Sequence, residues 1–282
     1  MIVKLEEIIK ESQAAVGAFN TFNLEITQGI VRGARKAGLP VIIQTTENAI
    51  DYAGLEALFY LIKATLEAES GEVPMAIHLD HGKKLETVKA AVDLGYSSVH
   101  MDASEYPFEE NIKLTREAAE LGHQRGVWVQ GELGNIYGKE GLLKMQQGVD
   151  LKKLMTNPDQ IKEFVQRTGV DTVAVAIGSL HGHFVGQENI DFEKLEAIRK
   201  EIEIPIVLHG GSGIPDEQIK KAIQKGVKII NVDTDLRLAF ARALKETLKI
   251  ETDLIDPRKI LQPSVEAISR VVYDKARLFN QI

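Results

Sequence analysis

The sequence predicts an α/β fold, a (β/α)8 TIM barrel, and three observations support this prediction. Short β-branched runs alternate with longer amphipathic stretches along the whole chain. Runs such as VAVAI and IPIVL are apolar on both faces, as expected of parallel strands covered by helices. Glycines stand where several helices should end, at Gly38, Gly95, Gly126, Gly169 and Gly226, which fits left-handed C-terminal caps. A doubly wound open sheet is the alternative, because pattern alone does not show barrel closure.

The elements follow one another without a linker or low-complexity run. Strands are predicted at 15–20, 41–45, 73–79, 97–101, 127–132, 172–177, 204–208 and 227–231. Helices are predicted near 24–37, 55–69, 84–94, 109–125, 158–168, 191–201, 215–225 and 234–249. We therefore expect residues 1–282 to form a single barrel domain with a C-terminal helical extension.

Composition excludes several classes of function. The 282 residues include 41 acidic and 34 basic side chains, a net charge of −7, which argues against binding to nucleic acid or anionic membranes. There is no cysteine, so disulfides, thiolate nucleophiles and cysteine-ligated zinc are excluded. No apolar run approaches the ~18–20 residues of a membrane span, and the charged N-terminal segment is unlike a signal peptide. We expect a cytoplasmic protein.

Histidines cluster at the predicted C-terminal ends of strands, where barrel enzymes carry their chemistry. His78 and His81 follow the third strand, His181 the sixth and His209 the seventh. A hydrogen-bonded core or rim histidine is the ordinary interpretation of each one alone. Catalytic zinc commonly takes three protein ligands, and His81, His181 and His209 are each followed by glycine. Together these three are predicted to bind one metal ion.

Other candidates surround this predicted metal site. Asp80, within HLDHG, could orient a ligand or act as general base, or serve as a structural cap. Alternation along the strand predicts Asp80 and His78 on one face, with His81 turning into the loop. The loops 210–213 and 231–234 follow the seventh and eighth strands, the usual phosphate site of this barrel.

One loop is long enough to be a lid. Residues 133–157 are rich in glycine and longer than an ordinary strand–helix connection, and such loops often close over active sites. Glu140 within it is a candidate acid/base delivered on closure, although an exposed structural glutamate is the common alternative.

With these motifs in view, the chain resembles the class II ketose-bisphosphate aldolases. The resemblance rests on HLDHG at 78–82, ELG and GKE within 132–140, AIGSLHG at 176–182, LHGGSGIP at 208–215 and NVDTDLRLAF at 231–240. AFNTFNLE at 18–25 and DPRKIL near the C-terminus also match. The motifs occur in order over nearly the whole chain.

The resemblance implies zinc-dependent aldol cleavage, often assisted by a monovalent cation such as Na⁺ or K⁺. His81, His181 and His209 would hold zinc, Asp80 would be the catalytic acid/base, and Glu140 would be the family's loop glutamate. Asp102 and Glu132 would be carboxylates that touch the metal in an alternative position. Dihydroxyacetone phosphate would be bound by Gly182, Gly210, Gly211, Ser212, Asn231, Val232, Asp233 and Thr234. A homo-oligomer, either a dimer or a tetramer, is the expected assembly.

The substrate is expected to be a phosphorylated sugar. Fructose 1,6-bisphosphate is the first candidate, giving dihydroxyacetone phosphate and glyceraldehyde 3-phosphate. Family members that act on this sugar often carry a lysine in the segment that reads HGHFVG here, at 181–186. Its absence keeps tagatose 1,6-bisphosphate, or another phosphorylated ketose, open as an alternative.

Other chemistries are weighed against this interpretation. A Schiff-base aldolase needs a lysine inside the barrel, and the predicted strands contain only Lys228, on an outward face. A zinc hydrolase, with Asp80 activating water, and a non-catalytic partner subunit are the alternatives of other classes. His123 and His183 receive no function, and His100 is predicted to be a core or rim residue.

Overall fold

Eight parallel strands pair in chain order and close into a barrel, because the first strand also pairs with the eighth. In this computed structural model the described residues are 1–12, 14–136, 154–179 and 189–281. The strands are β1 Val16–Asn20, β2 Val41–Thr46, β3 Met75–Gly82, β4 Ser98–Met101, β5 Trp128–Leu133, β6 Thr172–Val175, β7 Ile206–Leu208 and β8 Val227–Val232. The predicted TIM barrel is confirmed, and the open sheet is wrong.

Helices surround this barrel. Within the described ranges they are α1 Leu5–Glu11, α2 Leu24–Ala37, α3 Glu47–Ala53, α4 Leu55–Glu69, α5 Leu85–Leu94, α6 Phe108–His123, α7 Pro158–Thr168, α8 Phe192–Glu201, α9 Asp216–Gln224, α10 Thr234–Ile250 and α11 Pro257–Phe279. None of the helices in this part of the chain is long and apolar enough to cross a membrane.

The start and end of α2 show how local sequence sets a helix. The Asn23 side chain accepts the backbone N–H of Ile26 at 2.9 Å, which satisfies a donor of the first turn. Gly38 closes the helix with φ +67°, a conformation that glycine adopts at little cost. The apolar face between them is buried against the barrel.

The barrel has two apolar cores, one outside the strands and one inside. Outward side chains such as Phe19, Ile43 and Ile77 pack under the surrounding helices. Inward side chains from six strands form the second cluster, comprising Val16, Ala18, Ile42, Ala76, Ala174, Val207 and Ile229. This inner cluster fills the N-terminal end of the barrel interior, and the C-terminal end lies directly above it along the barrel axis.

Helix α1 closes the N-terminal end of the barrel. Its Leu5, Ile8 and Ile9 are buried against the inner cluster. The preceding chain is held to β3, since the Val3 N–H donates to the Met75 carbonyl at 3.0 Å. In the described part of the chain, α1 therefore covers the N-terminal end of the barrel and leaves the C-terminal ends of the strands as the way into the interior.

Helix α11 packs tightly across α2. A Cβ at Gly29 would lie 2.6 Å from Ile268 Cβ, and one at Gly33 would lie 2.5 Å from the Ser269 carbonyl oxygen. Glycines at this i, i+4 spacing therefore let the two helix backbones approach closely.

Candidate active site

Toward the C-terminal ends of the strands, the inward-facing side chains change from apolar to polar. We call this set the polar layer; it comprises Asn20, Gln44, His78, Asp80, Ser98, His100, Gln130, Glu132 and Asn231. Strand pairing aligns several of its members, with Asn20 beside Gln44, and Gln44 beside His78. All are buried, and burial of a polar atom is costly without a partner. Among the described residues, Gln44 Oε1, His78 Nε2, His100 Nε2 and Glu132 Oε2 have no hydrogen-bond partner.

Asp80 is held by three amide side chains. Its Oδ2 accepts Asn20 Nδ2 at 3.0 Å and Gln44 Nε2 at 3.1 Å, and its Oδ1 accepts Asn231 Nδ2 at 3.3 Å. Burial alone would raise the pKa of this carboxyl. Interactions with the imidazoles of His81, His100 and His209 outweigh burial and hold the pKa of Asp80 well below its usual range.

His81 lies within β3, which continues through Gly82, and not in the following loop as predicted. Its Nε2 is 3.9 Å from Asp80 Oδ1, and its Nδ1 is 2.7 Å from Asp102 Oδ2. Burial lowers the pKa of His81, but Asp80 and Asp102 outweigh it and raise the pKa to about 10. When the ring is neutral, with its proton on Nδ1 and donated to Asp102, Nε2 is available as a ligand atom.

His209 follows β7 and faces His81 across the barrel. The two imidazole rings are 4.6 Å apart between centroids. The Gln130 amide lies 3.1 Å from His209 Nε2, and Asn231 Nδ2 lies 3.4 Å from the same atom. Asn231 therefore bridges His209 and Asp80.

These side chains fit a divalent cation. Two overlapping groups each bring one ligand atom per residue within 4.8 Å of the others: Asp80, His81, His100 and His209, and His81, His100, Asp102 and Glu132. Glu132 Oε2 and His100 Nε2 are buried, and neither atom has a hydrogen-bond partner in the part of the chain that the structure describes. Imidazole and carboxylate ligands suit zinc and its first-row neighbours.

Glu132 is buried beside His81 and His100. Burial and the neighbouring Asp102 raise the pKa of Glu132 to about 8. Its Oε2 is 4.0 Å from His81 Nδ1. Asp102 contacts His81 directly, and it also accepts the Ser104 hydroxyl at 2.7 Å. Both carboxylates therefore adjoin His81, and their role as alternative metal ligands stays a prediction.

The two predicted phosphate loops contact one another beside His209. The Gly211 N–H donates to the Asn231 carbonyl at 2.8 Å, and the Asp235 N–H donates to Ser212 Oγ at 3.1 Å. A Cβ at Gly211 would lie 2.6 Å from Ile230 Cγ2, so this close approach needs glycine. Gly210 has φ +68°.

The remaining predicted phosphate residues lie at the start of α10. Thr234 is the first residue of α10, and Asp233 precedes it. Asp233 forms two 2.8 Å contacts with Arg237 Nε. The Val232 side chain is buried in the outer core, so Val232 could reach a substrate only through its backbone.

Three predicted site residues, Glu140, His181 and Gly182, lie outside the described residues, as does His183. The described part of the chain brings Asp80, His81, Asp102, Glu132, His209 and Asn231 together. Sequence reasoning missed Asn20, Gln44 and Gln130. Polar residues at inward positions of otherwise apolar strands are the signal that could have found them.

Two other basic residues lie away from this site. His123 is a surface residue whose Nε2 is 2.9 Å from Asp171 Oδ2. Lys228 donates to the Ala14 carbonyl at 3.3 Å, so it cannot supply a Schiff-base amine inside the barrel.

A parallel barrel with imidazoles and carboxylates grouped at its strand ends defines a metal-dependent barrel enzyme. Comparisons with known proteins specify the family. The family model "Fructose-bisphosphate aldolase class-II" matches residues 2–282, and the chain belongs to this family. The protein is therefore an aldehyde-lyase. The two alternatives from the sequence, a zinc hydrolase and a non-catalytic partner subunit, are wrong.

Individual relatives agree with the family. The chain is 42% identical to a fructose-bisphosphate aldolase of Geobacillus stearothermophilus over 99% of this chain and 97% of the relative. It is 38% identical to a fructose-bisphosphate aldolase of Staphylococcus aureus, with the same coverage. Among solved structures, the YdjI aldolase of Escherichia coli K12 matches with a TM-score of 0.83 and 31% identity over 99% of this chain and 97% of that one.

Proposed function

We propose that the protein is a zinc-dependent aldolase that reversibly cleaves fructose 1,6-bisphosphate to dihydroxyacetone phosphate and glyceraldehyde 3-phosphate. The observation that carries this proposal is the convergence of Asp80, His81 and His209 beside the loops after β7 and β8. The two relatives named fructose-bisphosphate aldolase support the choice of sugar.

The metal would be held by His81, His181 and His209, with Asp102 and Glu132 as ligands in an alternative position. When bound, zinc supplies Lewis-acid stabilisation of the negative charge that develops on the ketose carbonyl oxygen. A monovalent cation, Na⁺ or K⁺, is proposed as an accessory ion from the family resemblance.

Asp80 is proposed to accept the proton of the C4 hydroxyl as the C3–C4 bond breaks. Its three amide donors favour the ionised carboxylate, the state that a general base requires. After the predicted lid at 133–157 closes, Glu140 is proposed to donate a proton to C3, the carbon that cleavage of the C3–C4 bond leaves without a partner. This step gives dihydroxyacetone phosphate.

Phosphate binding is assigned to the loops after β7 and β8. Gly182, Gly210, Gly211 and Ser212, and the segment Asn231–Thr234 that joins β8 to α10, are the residues proposed to bind the phosphate. The N-terminus of a 17-residue helix carries partial positive charge, which favours a phosphate there.

A coupled assay tests the reaction. Fructose and tagatose 1,6-bisphosphates would be compared on purified protein, each with EDTA and after zinc is restored. We expect EDTA-sensitive release of dihydroxyacetone phosphate, with the larger kcat/KM for fructose 1,6-bisphosphate. A larger value for tagatose 1,6-bisphosphate would reassign the substrate to the C4 epimer. Cleavage of neither sugar by zinc-replete protein would require another phosphorylated ketose.

We propose that the chain forms a homo-oligomer, a dimer or a tetramer. Only Thr234 and Leu236 of the long helix α10 are buried. Leu248, Ile250 and Ile255 are 49%, 66% and 90% exposed, an apolar surface that a second copy could cover. Light scattering should give two or four times the 31.2 kDa chain mass. A mass of one chain at all concentrations would contradict the proposal.

A cytoplasmic location is also proposed, since bisphosphorylated sugars are highly charged and do not cross membranes unaided.

A further inference from the structure

The strand that carries Asp80 and His81 is irregular at these two residues. β3 pairs with β4 in register at Leu79–Val99 and again at Gly82–Met101. Asp80 and His81 on β3 therefore lie opposite His100 alone on β4. Two residues facing one define a β-bulge, which bends a strand and redirects a side chain. Successive side chains of a regular strand point to opposite faces of the sheet. The bulge therefore explains how Asp80 and His81, which are consecutive in β3, both reach the site.

The bulge leaves His81 in an unusual backbone conformation. His81 has φ +50°, the left-handed region that side chains with a Cβ rarely adopt. A bulged residue also loses its regular ladder partner, so the His81 N–H needs another acceptor. Surrounding contacts must therefore hold this conformation.

The His100 imidazole supplies that acceptor. Its Nδ1 accepts the backbone N–H of His81 at 3.2 Å. His100 is fully buried, so close packing restricts movement of its ring. A ring nitrogen that accepts a hydrogen bond carries no proton, so the neutral ring carries its proton on Nε2. Nε2 is 3.7 Å from Glu132 Oε2 and has no hydrogen-bond partner among the described residues.

We propose that His100 is a positioning residue, which holds the His81 backbone in the bulge through Nδ1 and so aims the His81 imidazole at the metal site. His100 acts on the metal through His81 and is not itself a ligand. The proposal rests on the proposed function in one respect, namely that His81 binds the metal.

Asparagine and leucine at position 100 form a matched pair. Both are smaller than histidine and similar to each other in shape. The asparagine Oδ1 can occupy nearly the position of the imidazole Nδ1 and accept the His81 N–H, whereas leucine cannot. Neither offers an imidazole ligand. The pair therefore separates loss of the acceptor from loss of a metal ligand.

The first experiment loads the wild type, His100→Asn and His100→Leu with Co²⁺. Visible absorption reports ligand geometry, and competition with a chelator gives the affinity. We expect His100→Asn to keep the wild-type spectrum, and His100→Leu to bind Co²⁺ about 10–100-fold more weakly, the usual effect of losing a group that orients a ligand. Equal losses with altered spectra in both variants would make His100 a ligand. Unchanged binding in both would make it a core residue only.

A second experiment needs no variant. NMR of wild-type protein with ¹⁵N-labelled histidine, with and without Zn²⁺, identifies the protonated nitrogen of each ring. We expect His100 to carry its proton on Nε2 in both states, with a slowly exchanging His81 amide. A proton on Nδ1 would overturn the proposal. If the wild type binds no Co²⁺ or Zn²⁺, the proposed metal function fails, while the metal-free NMR result still tests the hydrogen bond.

Discussion

At the scale of single residues, the site depends on amide side chains as much as on histidines. Asn20, Gln44 and Asn231 surround Asp80 and occupy both of its carboxylate oxygens. Amides do not titrate, so they hold the carboxylate in one orientation at any working pH. Asp80 therefore needs no rearrangement before it accepts a proton.

Asp80→Asn tests this role directly. The substitution keeps the side-chain volume and removes the basic oxygen, so turnover should fall by roughly 10²–10⁴. Metal content, measured by mass spectrometry, should stay at the wild-type level because His81 and His209 are unchanged. Nearly normal turnover in a metal-loaded variant would show that another group is the base.

His209→Ala addresses the metal site, with His123→Ala as its control. His209 is buried within the candidate ligand group, whereas His123 lies at the surface beside Asp171. Removing a ligand should reduce bound metal, and removing the surface histidine should not. Equal metal content in the two purified variants would exclude His209 as a ligand.

At the scale of elements, sequence pattern predicts those helices that have an apolar face and clear ends. The bounds of α2, α4 and α7 agree with the prediction. Helix α1 was not predicted, because seven residues are too few to establish a period and its partners lie inside the barrel. Helix α3 was not predicted because Ala49 is its only buried residue.

The candidate site was predicted less completely than the fold. HLDHG and the glycine loops are visible as local motifs, and they led to Asp80, His81 and His209. The bulge in β3 is not readable locally, because it depends on how β3 pairs with β4. His100 is buried, which agrees with the predicted core or rim position. Its hydrogen bond with the His81 backbone was not predicted, because it depends on the same strand pairing.

Gly33→Ala tests the contact between α2 and α11. Alanine favours helix by about 1 kcal/mol over glycine, yet its Cβ would lie 2.5 Å from the Ser269 carbonyl oxygen. Overpacking should exceed the helix gain and destabilise the protein by about 1–3 kcal/mol, measured by urea unfolding. A more stable variant would mean that α11 moves aside freely.

At the scale of the whole molecule, one site collects groups from most of the barrel. Asp80 and His81 come from β3, Asp102 follows β4, Glu132 is on β5, and His209 follows β7. Metal binding should therefore stabilise the closed barrel as a unit, because a bound ion cross-links distant parts of the chain.

Thermal unfolding measures this coupling. A ligand that binds only the folded state contributes about 2.7 kcal/mol at about 100 times its Kd, so zinc should raise the Tm of EDTA-treated protein by several degrees. His123→Ala should respond like the wild type, and His209→Ala should respond less. An unchanged Tm in zinc-replete wild type would contradict a metal site inside the barrel.

The placement of α1 has a consequence for biosynthesis. Leu5, Ile8 and Ile9 leave the ribosome before their partners Val207 and Ile229, which follow some 200 residues later. At a synthesis rate of about 5–20 residues per second, these three apolar side chains wait at least about ten seconds for complete burial. A nascent chain that stalls before β8 lacks both the strand that closes the barrel and part of the surface that receives α1. Such chains would expose apolar groups to chaperones and proteases, because α1 is made long before it is fully buried.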